Sequence, residues 1–144
     1  MKIGLVKNEY GWKRILEQEK VPWEIARINN LKNYSLLVLN SNEISENAIN
    51  KIKSYLTNGG ALLTDATSLK NLDKTKKISK TYIEFIYGNG DLFRNISKIN
   101  LETYGYKIKE AKIGKINNEK GAIHLSKVGK GFIIALPFNL NSLM

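Results

Sequence analysis

Apolar positions follow two different rhythms along this chain, and the change comes shortly after residue 65. The first opens with KIGLV, residues 2–6, a short apolar run that predicts a strand. GWKRILEQEK follows with Trp12, Ile15 and Leu16 at the spacing of one helical face. In PWEIARI, residues 22–28, Trp23, Ile25 and Arg27 alternate with Glu24 and Ala26, which predicts a second strand. Pro22 has no N–H to give to a ladder, so that strand belongs near a sheet edge. YSLLVLN, residues 34–40, is a continuous apolar run, as expected of a central parallel strand covered on both faces.

The next helix is the best-marked element. Ser45 can cap it, Ile44 and Ile49 can form a hydrophobic staple across the cap, and Glu46 favours the positive end of the helix dipole. Ala48, Ile49, Ile52, Tyr55 and Leu56 make one apolar stripe, leaving Asn50, Lys51, Lys53 and Ser54 for water. Gly59 or Gly60 ends the helix, and ALLTD, residues 61–65, follows as another buried strand. Strands alternating with helices through residue 65 predict an α/β sandwich with a mainly parallel sheet.

The second rhythm is that of strands and turns. KNLDKTKKISK, residues 70–80, reads as a solvated charged loop. Residues 80–99 mix aromatics with a Gly88-Asn89-Gly90 turn, and YGYKIKEAKIGKI, residues 104–116, alternates as exposed strands do. GAIHLSKVGKGFIIALPF, residues 121–138, predicts an antiparallel hairpin near the C-terminus. Ile123 and Leu125 share a face, Val128-Gly129-Lys130-Gly131 turns the chain, and FIIAL is a buried strand. The final NLNSLM resembles the first turn of an unfinished element, so residues 1–144 are expected to be a single domain from the amino-terminal part of a longer protein.

Composition narrows the chemistry. A chain of 144 residues, 42% hydrophobic and 25% charged, is one globular domain's worth of polypeptide. No signal-peptide pattern follows Met1 and no run approaches the roughly 20 apolar residues of a spanning helix, so the expected location is the cytoplasm, with no membrane partner. A net charge of +10 invites a nucleic-acid reading. The kind of charge weighs against it: the lysines are scattered from Lys2 to Lys130, and only Arg14, Arg27 and Arg94 offer the fork that reads phosphates and bases. A specific nucleic-acid partner is not expected. The absence of cysteine excludes disulfides, thiolate metal sites and cysteine nucleophiles together. One histidine and dispersed carboxylates give no metal-ligand spacing, and no metal or other cofactor is expected.

GGALLTDATSL, residues 59–69, raises two further possibilities. Phosphate loops place glycines after a strand and before a helix; here Gly59-Gly60 follows a helix and precedes a strand, the order of a C-cap. A nucleophile elbow would want glycines flanking Thr67 or Ser68 and a base, and His124, the single histidine, is expected to face away from the core side of its strand. Asp65 and Thr67 are therefore read as residues of a structural polar turn.

Four stretches in order resemble the class I glutamine amidotransferase-like family: WKRILEQEKVPWEIARI, YSLLVLNSNEIS, INKIKSYLTNGGALLTDATS and VGKGFIIALPF. The similarity is to its non-catalytic versions in carbohydrate-active proteins, such as the trimerisation domain of certain beta-galactosidases; residues 70–120 match poorly. The resemblance implies a three-layer flavodoxin-like sandwich. It also implies an accessory or interaction role, with a further domain of the same chain or another copy as partner. Active members carry a cysteine that this chain lacks, so no catalytic residue is expected. The alternative from another class is a small-molecule or sugar-binding domain, with hydrolysis open to it, using the crevice at the carboxyl ends of the strands. Asn8, Glu9, Asn40, Ser41, Asp65, Thr67 and Ser68 are the residues expected to line that crevice.

Overall fold

The computed structural model describes residues 2–7, 9–41, 43–87 and 98–140. The turn expected at Gly88-Asn89-Gly90 and residues 141–144 lie outside them. The chain runs β1 (Lys2–Leu5), α1 (Tyr10–Gln18), β2 (Trp23–Ile25), a 3-10 segment (Ile28–Asn33), β3 (Tyr34–Leu39), α2 (Glu46–Thr57) and β4 (Ala61–Asp65). It continues with α3 (Ala66–Leu72), β5 (Ile78–Tyr87), β6 (Lys98–Ile108), β7 (Ile113–Ile116), β8 (Glu119–Val128) and β9 (Gly131–Leu136).

All nine strands join one sheet, in the order β2-β1-β3-β4-β9-β8-β7-β5-β6. The ladders from β2 to β9 are parallel, and those from β9 to β6 are antiparallel. The expected three-layer, mainly parallel flavodoxin-like sandwich is thus not the fold; the sheet is mixed, half of its ladders are antiparallel, and its helices are short. The physical reason lies in the connections. A parallel neighbour needs a crossover, usually a helix, whereas antiparallel neighbours need only a turn. Beyond α3 the described residues contain strands of 10, 11, 4, 10 and 6 residues and no further α-helix.

In the parallel part, the continuous apolar run of β3 is buried on both faces. Leu37 and Leu39 pack under α2 and α3 with Ile52, Leu56, Leu62, Leu69 and Ile133. Val38 packs with Leu5 and with Leu16 of α1 on the other face. Tyr34 ties β3 to β2 across β1: its hydroxyl donates to Glu24 Oε1 at 2.7 Å and accepts from the Arg27 N–H at 2.9 Å. β2 forms the sheet edge.

The cap predicted for α2 is present: Ser45 Oγ accepts from the Ala48 N–H at 3.1 Å. Gly59, at φ +111, ends the helix, with the Gly59 N–H donating to Leu56 O and the Gly60 N–H to Tyr55 O. The β8–β9 turn docks on the same helix end. The Lys130 N–H donates to Thr57 O and the Phe132 N–H to Gly60 O, both at 3.1 Å.

The antiparallel part rolls back over the sheet. Ile83 and Ile86 of β5, Ile116, Ala122 and Ile123 form a core of their own, which Ile134 and Leu136 of β9 join to the parallel part. The outermost strand closes the roll where the Tyr106 N–H donates to Pro137 O at 2.7 Å. Gly105 makes that approach possible, because a Cβ there would overlap the Pro137 carbonyl oxygen and stand 2.6 Å from Ile83 Cδ1.

Candidate functional site

The carboxyl ends of β1, β3, β4 and β9 gather most of the polar residues marked out in the sequence. Asn8 lies outside the described residues. Glu9, which precedes α1, is buried and its Oε1 accepts from the Asn40 N–H at 3.0 Å. Asn40, also buried, accepts at its carbonyl from Asn139 Nδ2 at 3.1 Å, so the segment after β9 is tied to the end of β3. The Asn40 carboxamide nitrogen has no hydrogen-bond partner among the described residues. In the parallel register Leu39 stands beside Thr64, which places Asn40 and Asp65 side by side one step further on.

Asp65 is not part of a free polar turn. It caps α3: Oδ1 accepts from the Ser68 N–H at 3.2 Å and Oδ2 from Thr67 Oγ1 at 2.9 Å. A residue with β-region backbone at the end of a strand, whose carboxylate takes the free N–H groups of the first turn, starts a helix, and Ala66–Leu72 follows. The stretch expected to be turn and charged loop therefore begins as helix, and the correction has a local cause. Ser68 is fully buried, its hydroxyl without a partner among the described residues. Ser41 accepts at Oγ from the Glu43 N–H at 3.1 Å, within its own loop.

The structure thus joins Glu9 to Asn40, sets Asp65 and Thr67 beside them, turns Ser68 inward and leaves Ser41 aside. A cavity of about 190 Å³ opens between Asp65, Thr67, Asn139 and the Tyr104-Gly105-Tyr106 stretch of β6. One of its walls is therefore supplied by the segment that resembled the family least.

His124 departs from expectation. It does turn away from the face shared by Ile123 and Leu125, but it is buried there, 6% exposed, because it stands opposite Ala135 on the face that the helices cover. Burial holds the ring below its ordinary pKa, and the Lys76 charge adds to this; a backbone hydrogen bond with Glu110 and the Glu110 and Asp73 carboxylates oppose it. His124 Nε2 and Ser68 Oγ both lack partners among the described residues, so no hydrogen bond links the two into a nucleophile and base pair. Among the described residues no group of three or more His, Asp or Glu is placed to hold a metal ion, and no helix is long and apolar enough to cross a membrane.

A second, larger cavity was not anticipated. It measures about 620 Å³ and lies at the opposite edge of the sheet, between the 3-10 segment and the carboxyl end of α2. INNLKN reads in the sequence as a polar connection, and the only hint is Ile28 and Leu31 pinning that connection to the core.

No protein-family model and no curated protein sequence matches the chain. Solved structures do. A beta-galactosidase from Bacillus circulans sp. alkalophilus superposes with a TM-score of 0.77 at 10% identity over 99% of this chain, which spans only 29% of that protein. An exo-beta-1,4-mannosidase from Opitutaceae bacterium strain TAV5 matches with a TM-score of 0.67 at 12% identity, over 98% of this chain and 31% of its own. A cytoplasmic protein from Salmonella typhimurium LT2 matches with a TM-score of 0.69 at 13% identity, over 94% of this chain and 87% of its own. At such identities the likeness establishes the fold: one that occurs both as a segment of large glycosidase chains and as most of a small protein.

Proposed function

We propose that this chain is a non-catalytic, amidotransferase-like accessory or interaction domain of a larger carbohydrate-active protein, working beside a catalytic domain of the same polypeptide or against another copy of itself. The observation that carries the reading is the match of 99% of the chain to under a third of a beta-galactosidase. Asp65 adds to it: the polar turn after β4, where the resemblance would put a nucleophile, holds instead a carboxylate that caps a helix. The proposed compartment is the cytoplasm, in keeping with the Salmonella protein of similar fold. An antibody raised against this chain tests the reading in cell extract. The expected band runs well above 16.3 kDa, and a band at 16.3 kDa would overturn it.

The small cavity beside Asp65 favours a second reading, a sugar or other small molecule held at the carboxyl edge. Tyr104 and Tyr106 offer rings and Thr67 and Asn139 offer polar groups there. Galactose added to the labelled chain would shift the amides of Thr67 and Gly105 if that reading holds, and would leave them in place if it does not.

A further inference from the structure

The 620 Å³ cavity is of the size that holds small ligands, and its lining has one consistent chemistry. Lys51 and Ser54, at i and i+3 on one stripe of α2, and Asn58, the residue that caps its carboxyl end, face Asn29, Asn30 and Lys32 of the 3-10 segment across the opening. The lining contains no Asp or Glu. Among the described residues no ion pair or hydrogen bond engages the ammonium of Lys32 or Lys51, or the carboxamides of Asn29, Asn30 and Asn58. Their donors are free for a ligand.

The floor is rigid. Tyr55 Oη donates to Tyr34 O at 3.1 Å and accepts from the Ala61 N–H at 3.3 Å, which fixes the ring beneath Gly59 and Gly60. The carboxyl end of a helix would by itself repel an anion. Here the carbonyls of Tyr55, Leu56 and Thr57 are occupied by the N–H groups of Gly60, Gly59 and Lys130, and the two lysines face the same space. Ammonium groups suit an acid, while carboxamides, which both donate and accept, suit the hydroxyls around it.

We propose that this cavity binds a small polyhydroxylated anion, a hexuronate or a hexose phosphate, with its acid group on Lys32 and Lys51 and its hydroxyls on the asparagine carboxamides. This site is separate from the carboxyl-edge cavity and stands whether or not the chain is part of a glycosidase.

The test is a titration of the isotope-labelled chain with glucuronate, glucose 6-phosphate, glucose and inorganic phosphate, followed by backbone amide shifts. Glucuronate, glucose 6-phosphate or both should move amides in residues 28–35 and 51–60 at low-millimolar concentration, and their affinity should weaken as salt is added. Which of the two acts distinguishes a carboxylate from a phosphate ligand. Glucose and inorganic phosphate should bind at least about tenfold more weakly, and so should the anionic sugars on the Lys32→Ala/Lys51→Ala double variant. Both lysines are exposed, so that variant should melt where the parent does. Asn58→Asp, which adds a negative charge to the rim, should weaken binding in the same way. Shifts confined to Asp65 and Thr67, inorganic phosphate binding as well as the sugars, or no shift with any probe would each overturn the proposal.

Discussion

The two halves of the sheet solve the same problem, burying apolar side chains, by opposite means. In the parallel half, β2-β1-β3-β4-β9, strands have three to six residues, and helices cover both faces of its middle around β3. Its polar residues collect at the strand ends, where Glu9, Asn40 and Asn139 bind one another through the backbone of Asn40. In the antiparallel half, β5 and β6 are 10 and 11 residues long and bury one face by curling it on itself. The outer face shows rings: Tyr82 is 43% and Tyr104 67% exposed. Lysines partly cover them, with Lys98 Nζ 4.4 Å from the centre of the Phe85 ring and Lys80 Nζ 5.3 Å from that of Tyr104. Helical cover lets a strand be short and apolar throughout, whereas curling requires long strands whose two faces differ.

Whether the halves are one cooperative unit is open to measurement, and the largest effects should come from the two cores. Leu37→Ala and Ile83→Ala each empty a site with 0% exposure, one in each half, and each should cost about 3–4 kcal/mol in chemical denaturation. A single shared transition is expected for both. If Ile83→Ala loosened only residues 78–128 by hydrogen exchange, the halves would be separate units.

Next in size is the seam. Gly105→Ala would force apart β6 and the Pro137 carbonyl, and should cost about 2 kcal/mol and raise exchange at the Tyr106 amide. An unchanged Tyr106 amide would mean that the roll is held elsewhere. Asp65→Ala removes the α3 cap and should cost about 1 kcal/mol, with Asp65→Asn close to the parent. A parent-like Asp65→Ala would return this residue to the list of groups free to act on a ligand.

The smallest effect is in pH. The buried His124 ring titrates below the ordinary histidine value in the folded chain, so below about pH 6.5 the unfolded chain takes up more protons. Its contribution to stability is complete above that pH and is lost as pH falls toward the depressed folded value. Melting temperature should decline between about pH 7 and 5, and His124→Gln should flatten that decline. An equal slope in the variant would assign the loss to other groups.

Legibility differed between the halves for the same reason. β3, α2, β4 and the helix end at Gly59 were readable because caps and continuous apolar runs are local signals. The β8–β9 turn was readable from Gly129 and Gly131. α3 was not: DATSL carries few apolar residues, and its helix depends on the Asp65 cap and on Leu69 and Leu72 finding a core. Of the candidate site, the position of Glu9, Asn40, Asp65 and Thr67 at the carboxyl edge of the parallel strands follows from polar residues coming directly after apolar strand segments. Their engagement with one another, and the cavity beneath INNLKN, depend on neighbours from distant parts of the chain.

By itself, then, the sequence determined where the apolar strands and the capped helix lie, and it excluded cysteine chemistry, because these depend on residue type and short-range spacing. The tertiary structure decided that β9 enters the middle of the sheet beside β4. It likewise decided that antiparallel pairing continues from the β8–β9 hairpin through β7 and β5 to β6, that His124 is buried and that the larger cavity opens at the amino edge. Those outcomes follow from pairings between residues far apart in the chain, such as Ala61 with Phe132 and Tyr106 with Pro137, whose stability comes from the assembled core and leaves no mark on local sequence.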